Sequence, residues 1–138
     1  MRKPKQRGAK SAPLFYRNQR MNSMLEVDYA TRLDYLLRAG KIERWDYEPE
    51  RFLLGVKCTY APDFRVIMPD GNIVFIETKG YLREQGRVKF RTAAHSNPMY
   101  GFIMVGKVRG SFVLRENLSI HPDNYFADAM LVGKEVKQ

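Results

Sequence analysis

The chain has one cysteine, Cys58, and two histidines, His95 and His121. A lone cysteine cannot close an intrachain disulfide, and isolated histidines without a second soft ligand at metal spacing exclude a Cys/His zinc cluster. Such cysteine usage fits a reducing cytoplasm. No apolar run approaches the ~20 residues a membrane span requires, and the first residues lack the apolar segment of a signal peptide. There is no glycine-rich phosphate loop, which argues against an ATP-driven enzyme, and no internal repeat. The first twenty residues contain no acid at all.

What is present fits one soluble domain. At 138 residues, 44% hydrophobic and 28% charged, the chain can bury a single core. Its net charge of +9 is concentrated at the start: Arg2, Lys3, Lys5, Arg7, Lys10, Arg17 and Arg20 carry seven positive charges. Pro4, Gly8, Ser11 and Pro13 interrupt that segment, so residues 1–20 are expected to form a flexible basic arm ahead of a single domain at 21–138. Such arms neutralise phosphates and steer proteins onto nucleic acid, although a merely solubilising terminus has the same composition.

Hydrophobic periodicity predicts an α/β fold. Ser23-Met24-Leu25-Glu26 has the S-x-x-E form of a helix start, Leu25, Tyr29, Leu33, Leu36 and Leu37 follow at helical spacing, and Gly40 is placed to end the helix. Glu26 can reach back to the Ser23 amide, yet it also falls within the apolar arc, where a carboxylate needs a partner. Ile42 to Tyr47 and Phe52 to Val56 read as strands, with Trp45 in the core. Phe64 to Met68 and Ile73 to Ile76 read as two further strands around the turn formers Pro69-Asp70-Gly71-Asn72. Leu82 to His95 reads as a helix with Arg83, Arg87 and Arg91 along one side and Lys89 nearby, and Gly101 to Val105 as a returning strand. The order implies a mixed central β-sheet flanked by helices. Lys107 and Arg109 could contact phosphate or simply be exposed, and residues 111–138 carry no evident chemistry.

The chemistry concentrates between residues 60 and 80. Tyr60-Ala61-Pro62-Asp63-Phe64 and Ile76-Glu77-Thr78-Lys79-Gly80 flank the turn, so two carboxylates and a lysine gather at adjacent strand ends. A reversal centred between Asp70 and Gly71 places Asp63 beside Thr78. A one-residue slip then decides whether Asp63 shares a face with Glu77 and Lys79. The plain alternative is a surface ion-pair cluster of Asp63 and Glu77 with Lys79 and Arg65.

Pro62-Asp63 with Glu77-Thr78-Lys79 and Gly80 resembles the signature of the PD-(D/E)XK nuclease superfamily, and Ser23 to about Val105 resembles the phage endonuclease I family of Holliday-junction resolvases. The resemblance implies a restriction-endonuclease-like core and Mg²⁺-dependent cleavage of DNA, with Mn²⁺ able to substitute. It implies Asp63, Glu77 and the Thr78 carbonyl as metal ligands, Glu26 completing a second metal position, and Lys79 as the catalytic lysine. It also implies a homodimer exchanging segments near residues 40–60, and a phage protein acting in the bacterial cytoplasm. The Asp63 to Glu77 hairpin is longer than the family's, and the C-terminal segment diverges.

Two carboxylates suffice for a magnesium that keeps several waters and shares oxygens with a phosphate. The basic arm and Arg83, Arg87, Lys89 and Arg91 would supply backbone contacts to DNA, while no base-reading helix is evident, consistent with recognition of branched shape. The alternatives are a nuclease of linear duplex in restriction, repair or transposition, a non-catalytic nucleic-acid-binding protein of ribosomal type, and a protein-interaction module.

Overall fold

The computed structural model describes residues 13–79 and 83–119. A first hairpin, β1 (Leu14–Tyr16) and β2 (Gln19–Met21), leads into helix α1 (Met24–Arg38). Then come β3 (Arg44–Tyr47), the hairpin β4 (Phe52–Gly55) and β5 (Cys58–Tyr60), and the pair β6 (Phe64–Ile67) and β7 (Ile73–Thr78). Helix α2 (Glu84–Ser96), β8 (Gly101–Val108) and β9 (Ser111–Asn117) complete the described chain. The main sheet has the order β3-β6-β7-β8-β9, with β7 and β8 parallel and the other neighbours antiparallel. The mixed α/β architecture expected from the sequence is therefore present.

Local chemistry accounts for the ends of α1. Ser23 Oγ accepts the Glu26 amide at 3.1 Å, satisfying one orphan donor of the first turn. Beyond Arg38 the chain enters the left-handed region at Gly40 (φ 72°), where the Gly40 amide reaches Leu37 O at 3.1 Å and the Lys41 amide reaches Leu36 O at 2.9 Å. These two bonds form a Schellman motif, which favours glycine at that position. The Glu26 carboxylate departs from the expected capping box: its Oε1 accepts the amide of Asn22, not that of Ser23.

Each face of the sheet has its own core. Tyr29, Ala30, Leu33 and Leu36 of α1 pack on Phe64, Val66, Val74, Ile76, Ile103 and Val105, while Phe90, Ala93 and Ala94 of α2 pack with Tyr60, Phe75, Phe102 and Met104. The period-two alternation of β7 and β8 distributes their residues between the two layers. Phe64 is fully buried among the rings of Tyr29, Trp45 and Tyr47, with centroids 5.4, 5.8 and 5.4 Å away.

The expectation for the start of the chain changes. Residues 14–20, expected within a mobile arm, belong to the β1–β2 hairpin, so the folded domain begins earlier than residue 21. Its turn places Arg17 (φ 50°) and Asn18 (φ 62°) in the left-handed region, the twist that suits a two-residue hairpin connection. Buried Asp34 of α1 anchors it, accepting the Tyr16 hydroxyl, pairing with Arg17 at 3.0 Å and accepting Trp45 Nε1 at 2.9 Å. Trp45 is partly buried against the core, and Cys58 is half-buried.

Helix α2 starts at Glu84, with Arg83 as its cap, and Leu82 lies outside the described residues. Within residues 40–60, β3 pairs with β6 of its own chain and β4 pairs with β5. Among the described residues, no helix is long and apolar enough to cross a membrane. The Phe64→Ala variant is expected to lose roughly 3–5 kcal/mol of folding stability, the usual cost of deleting a buried ring. Denaturant unfolding with an unchanged m-value checks this.

Candidate functional site

The β6–β7 hairpin fixes the register that the sequence left open. Met68 O accepts the Gly71 amide and the Met68 amide reaches Asn72 O, each at 2.8 Å, with Pro69 in the position of the turn that its fixed φ suits. The reversal is centred on Asp70, pairing Ile67 with Ile73 and Phe64 with Ile76. Continued by one residue, this register sets Asp63 opposite Glu77, a shift of one from the Asp63–Thr78 pairing read in the sequence.

Asp63 sits at the mouth of β6. Its main-chain carbonyl accepts the Glu48 amide at 2.8 Å, and its Oδ2 accepts both the amide of Thr78 at 2.8 Å and the Thr78 hydroxyl at 3.0 Å. Thr78 thereby clamps the carboxylate through main chain and side chain together. Glu77 lies near the end of β7 and accepts the Tyr60 hydroxyl at 2.5 Å. Glu26 reaches in from α1, its Oε1 accepting the Tyr47 hydroxyl at 2.7 Å. Tyr47 belongs to the α1-side core and Tyr60 to the α2-side core, so each layer contributes one tyrosine to hold one glutamate.

All three carboxylates are buried, with Glu26 1%, Asp63 7% and Glu77 4% exposed. Desolvation raises the affinity of Asp63 for a proton, and the charges of Glu77 and Glu26 raise it further. The Thr78 amide and Lys79 oppose that shift without cancelling it. Glu77 is likewise raised by burial and by the charge of Glu26, against the opposing hydrogen bond from Tyr60 and the charge of Lys79. Asp63 and Glu77 form a coupled pair that holds a proton well above the ordinary carboxylate range. Tyr47 and Tyr60 are both shifted up by burial and by their glutamate neighbours, and so remain neutral hydrogen-bond donors.

Asp63 and Thr78 are directly bonded, and the charges of Glu26, Glu77 and Lys79 act on Asp63, so these five residues lie in one neighbourhood. Lys79 is half-buried, and its amide reaches Val105 O at 3.1 Å, extending the parallel β7–β8 pairing past Thr78. The acids and lysine thus gather at the carboxyl end of β7, the side on which ligands bind in open α/β sheets. The donor set is oxygen only, suited to a hard cation. Among the described residues, no three His, Cys, Asp or Glu side chains enclose an ion by themselves.

The basic residues divide. Arg83 and Arg87 are exposed at the start of α2 and Lys89 is half-buried. Arg91 is committed to Glu116, with Nε 2.7 Å from Oε1, so the expected stripe of free arginines is shortened by one. Arg17 is tied to Asp34, whereas Arg20 is exposed on β2. Arg2, Lys3, Lys5, Arg7 and Lys10 lie outside the described residues, as does Gly80. Lys107 pairs with Asp28 at 2.9 Å, and Arg109 is exposed in the β8–β9 turn. Arg65, the sequence alternative for pairing with the acids, bonds instead to Asp46 at 2.9 Å and Glu50 at 3.2 Å. Tyr47 and Tyr60 were missed as site residues. The only signal for Tyr60 was its place three residues before Asp63 in a strand-like run.

The raised affinities fix the sign of a pH effect. Across the window from the ordinary carboxylate range, about pH 4, to near pH 8, the folded chain keeps a proton that the unfolded chain has lost. Stability of the metal-free protein is therefore expected to fall as pH rises through that window. Asp63→Asn should flatten the dependence and raise the Tm near neutrality by at least roughly 3 °C, about the shift produced by 1 kcal/mol in a domain of this size. Thermal unfolding in EDTA checks it, and parallel pH profiles for the two proteins would rule it out.

Comparison of the chain with protein-family models, with curated proteins and with solved structures finds no match.

Proposed function

We propose that the protein is a metal-dependent endonuclease acting on DNA, with a four-way junction as its preferred substrate. One observation carries the reading: three buried carboxylates from separate elements meet a lysine at the end of β7, at a clear cost in electrostatic strain. A fold has no structural need for such crowding, and crowded acids mark places where charge is to be neutralised by something bound. The resemblance to PD-(D/E)XK nucleases supports the same chemistry, and its resolvase-like members support the branched substrate.

Asp63, Glu77 and the Thr78 carbonyl would hold Mg²⁺, with Glu26 offering a second position on the α1 side. When bound, the cation supplies a water of lowered pKa and neutralises charge on the phosphoryl oxygens. Thr78 and Tyr60 keep Asp63 and Glu77 in single orientations, which a loosely held carboxylate would not maintain. Lys79 orients the attacking water and offsets negative charge in the transition state. Arg83 and Arg87 contact the phosphates flanking the cut. A two-fold dimer would present two such sites to the symmetry-related strands of a junction.

A labelled four-way junction and a matched linear duplex, each with Mg²⁺ or EDTA, test the proposal. Metal-dependent paired nicking of the junction is expected, with Lys79→Ala and Glu77→Ala losing cleavage and retaining binding. Equal cutting of both substrates would point to a general nuclease, and persistent cleavage by both variants would remove the assignment. Tyr60→Phe deletes a hydrogen bond that lowers the proton affinity of Glu77. The acidic limb of the pH–rate profile should therefore move to higher pH, and an unmoved limb would show that Glu77 does not titrate in the reaction.

A further inference from the structure

Beside the carboxylates lies a second feature, on β8 and β9, that no sequence pattern singles out. In the β8–β9 pairing, Met104 stands opposite Glu116 and Val105 opposite Leu114, leaving Arg115 as the extra residue of a β-bulge. Its guanidinium lies across Gly106. A β-carbon added at Gly106 would overlap Arg115 Nε and come within 3.1 Å of Nη2 and 3.2 Å of Cζ. An arginine on β9 thus lies over β8 in the space that a side chain at residue 106 would occupy, and an alanine there would oblige it to shift.

The face it occupies follows from the alternation of the strands. Met104 belongs to the α2-side core and Val105 to the α1-side core, so the Cβ direction of Gly106 is toward the α2 side. Glu77 is held on that same side by Tyr60, and Lys79, two residues on, follows it. The parallel register pairs Thr78 with Val105, so its next step sets Lys79 beside Gly106. Neighbouring strands are about 4.8 Å apart. The guanidinium thus lies on the same face as the lysine and one strand away. It is exposed, and among the described residues it has no carboxylate partner, whereas adjacent Glu116 is taken by Arg91.

We propose that Arg115, laid over Gly106, forms a phosphate-binding position that holds a phosphodiester oxygen of the DNA strand entering the Glu77–Lys79 site. The assignment rests on the nuclease reading of that site. A guanidinium presents paired donors in one plane, matching two oxygens of a phosphate, which an ammonium cannot reproduce. The bulge aims it and Gly106 admits it. Arg115 is then a binding group for substrate, distinct from the groups that would hold the metal.

The test uses the full chain and the four-way junction. Arg115→Ala should retain the Tm of the parent, slow single-turnover cleavage at least about ten-fold, and lower the slope of log Kd against log salt by about 0.9, the loss of one phosphate contact. Arg115→Lys should restore the salt slope and only part of the rate. Gly106→Ala obliges the guanidinium to shift and should slow cleavage less than Arg115→Ala does, with the double variant no worse than Arg115→Ala. The binding measurements are made in EDTA, so they read the phosphate contact even if the parent cuts nothing, a result that would sink the nuclease reading alone. Parental rate and salt slope in Arg115→Ala would overturn the proposal with the nuclease reading intact.

Discussion

Confinement of negative charge organises this molecule. Asp63 and Glu77 face each other because the β6–β7 turn is centred on Asp70, and Glu26 is brought to them by the helix that covers the other face. Burial makes the charges of Asp63 and Glu77 costly, and the neighbouring carboxylates make them more costly still. The surroundings are arranged around that cost. Two tyrosines and a threonine donate into the cluster, Lys79 lies beside it, and the two packed layers hold the donors in place. The site stands at the seam between the two cores, and neither layer alone could assemble it.

Much of this was legible in the sequence where a local rule decided the outcome. Ser23 and Gly40 bound α1 because a side-chain cap and a left-handed residue satisfy orphan helix groups locally. Pro69 to Asn72 mark the turn for the same reason, and Glu77-Thr78-Lys79 follows a continuous apolar run. What could not be read depended on contacts distant in sequence. The β1–β2 turn uses Arg17 and Asn18 at positive φ without a glycine, and it is held by Asp34 from the next helix. Its basic composition masked a folded hairpin. Glu26, placed by its pattern for a capping box, instead accepts the Asn22 amide and the distant Tyr47 hydroxyl on one oxygen. Arg91 looked free until β9 brought Glu116 to it. Gly106 and Arg115, nine residues apart, acquire meaning only through a bulge in a pairing that no periodicity predicts.

The distribution of positive charge changes in the same way. Read along the chain, basic residues form an arm and a helical stripe. In the fold, several are neutralised by partners: Arg17 by Asp34, Arg65 by Asp46 and Glu50, Lys107 by Asp28 and Arg91 by Glu116. Arg20 on β2, Arg83 and Arg87 at the start of α2 and Arg115 on β9 remain exposed. Net charge thus describes how strongly such a chain attracts a polyanion, while the unpaired subset describes where a backbone can rest.

Among the described residues β3 and β9 form the edges of the main sheet, with a consequence for self-association. Strand β3 presents Arg44 and Asp46, already engaged with each other, and β9 presents Arg115 and Glu116 around its bulge. Charged side chains and irregular pleating are poor templates for another strand, since an added chain would have to desolvate ions and match a broken ladder. Copies of this protein are thereby discouraged from stacking edge to edge into extended sheets.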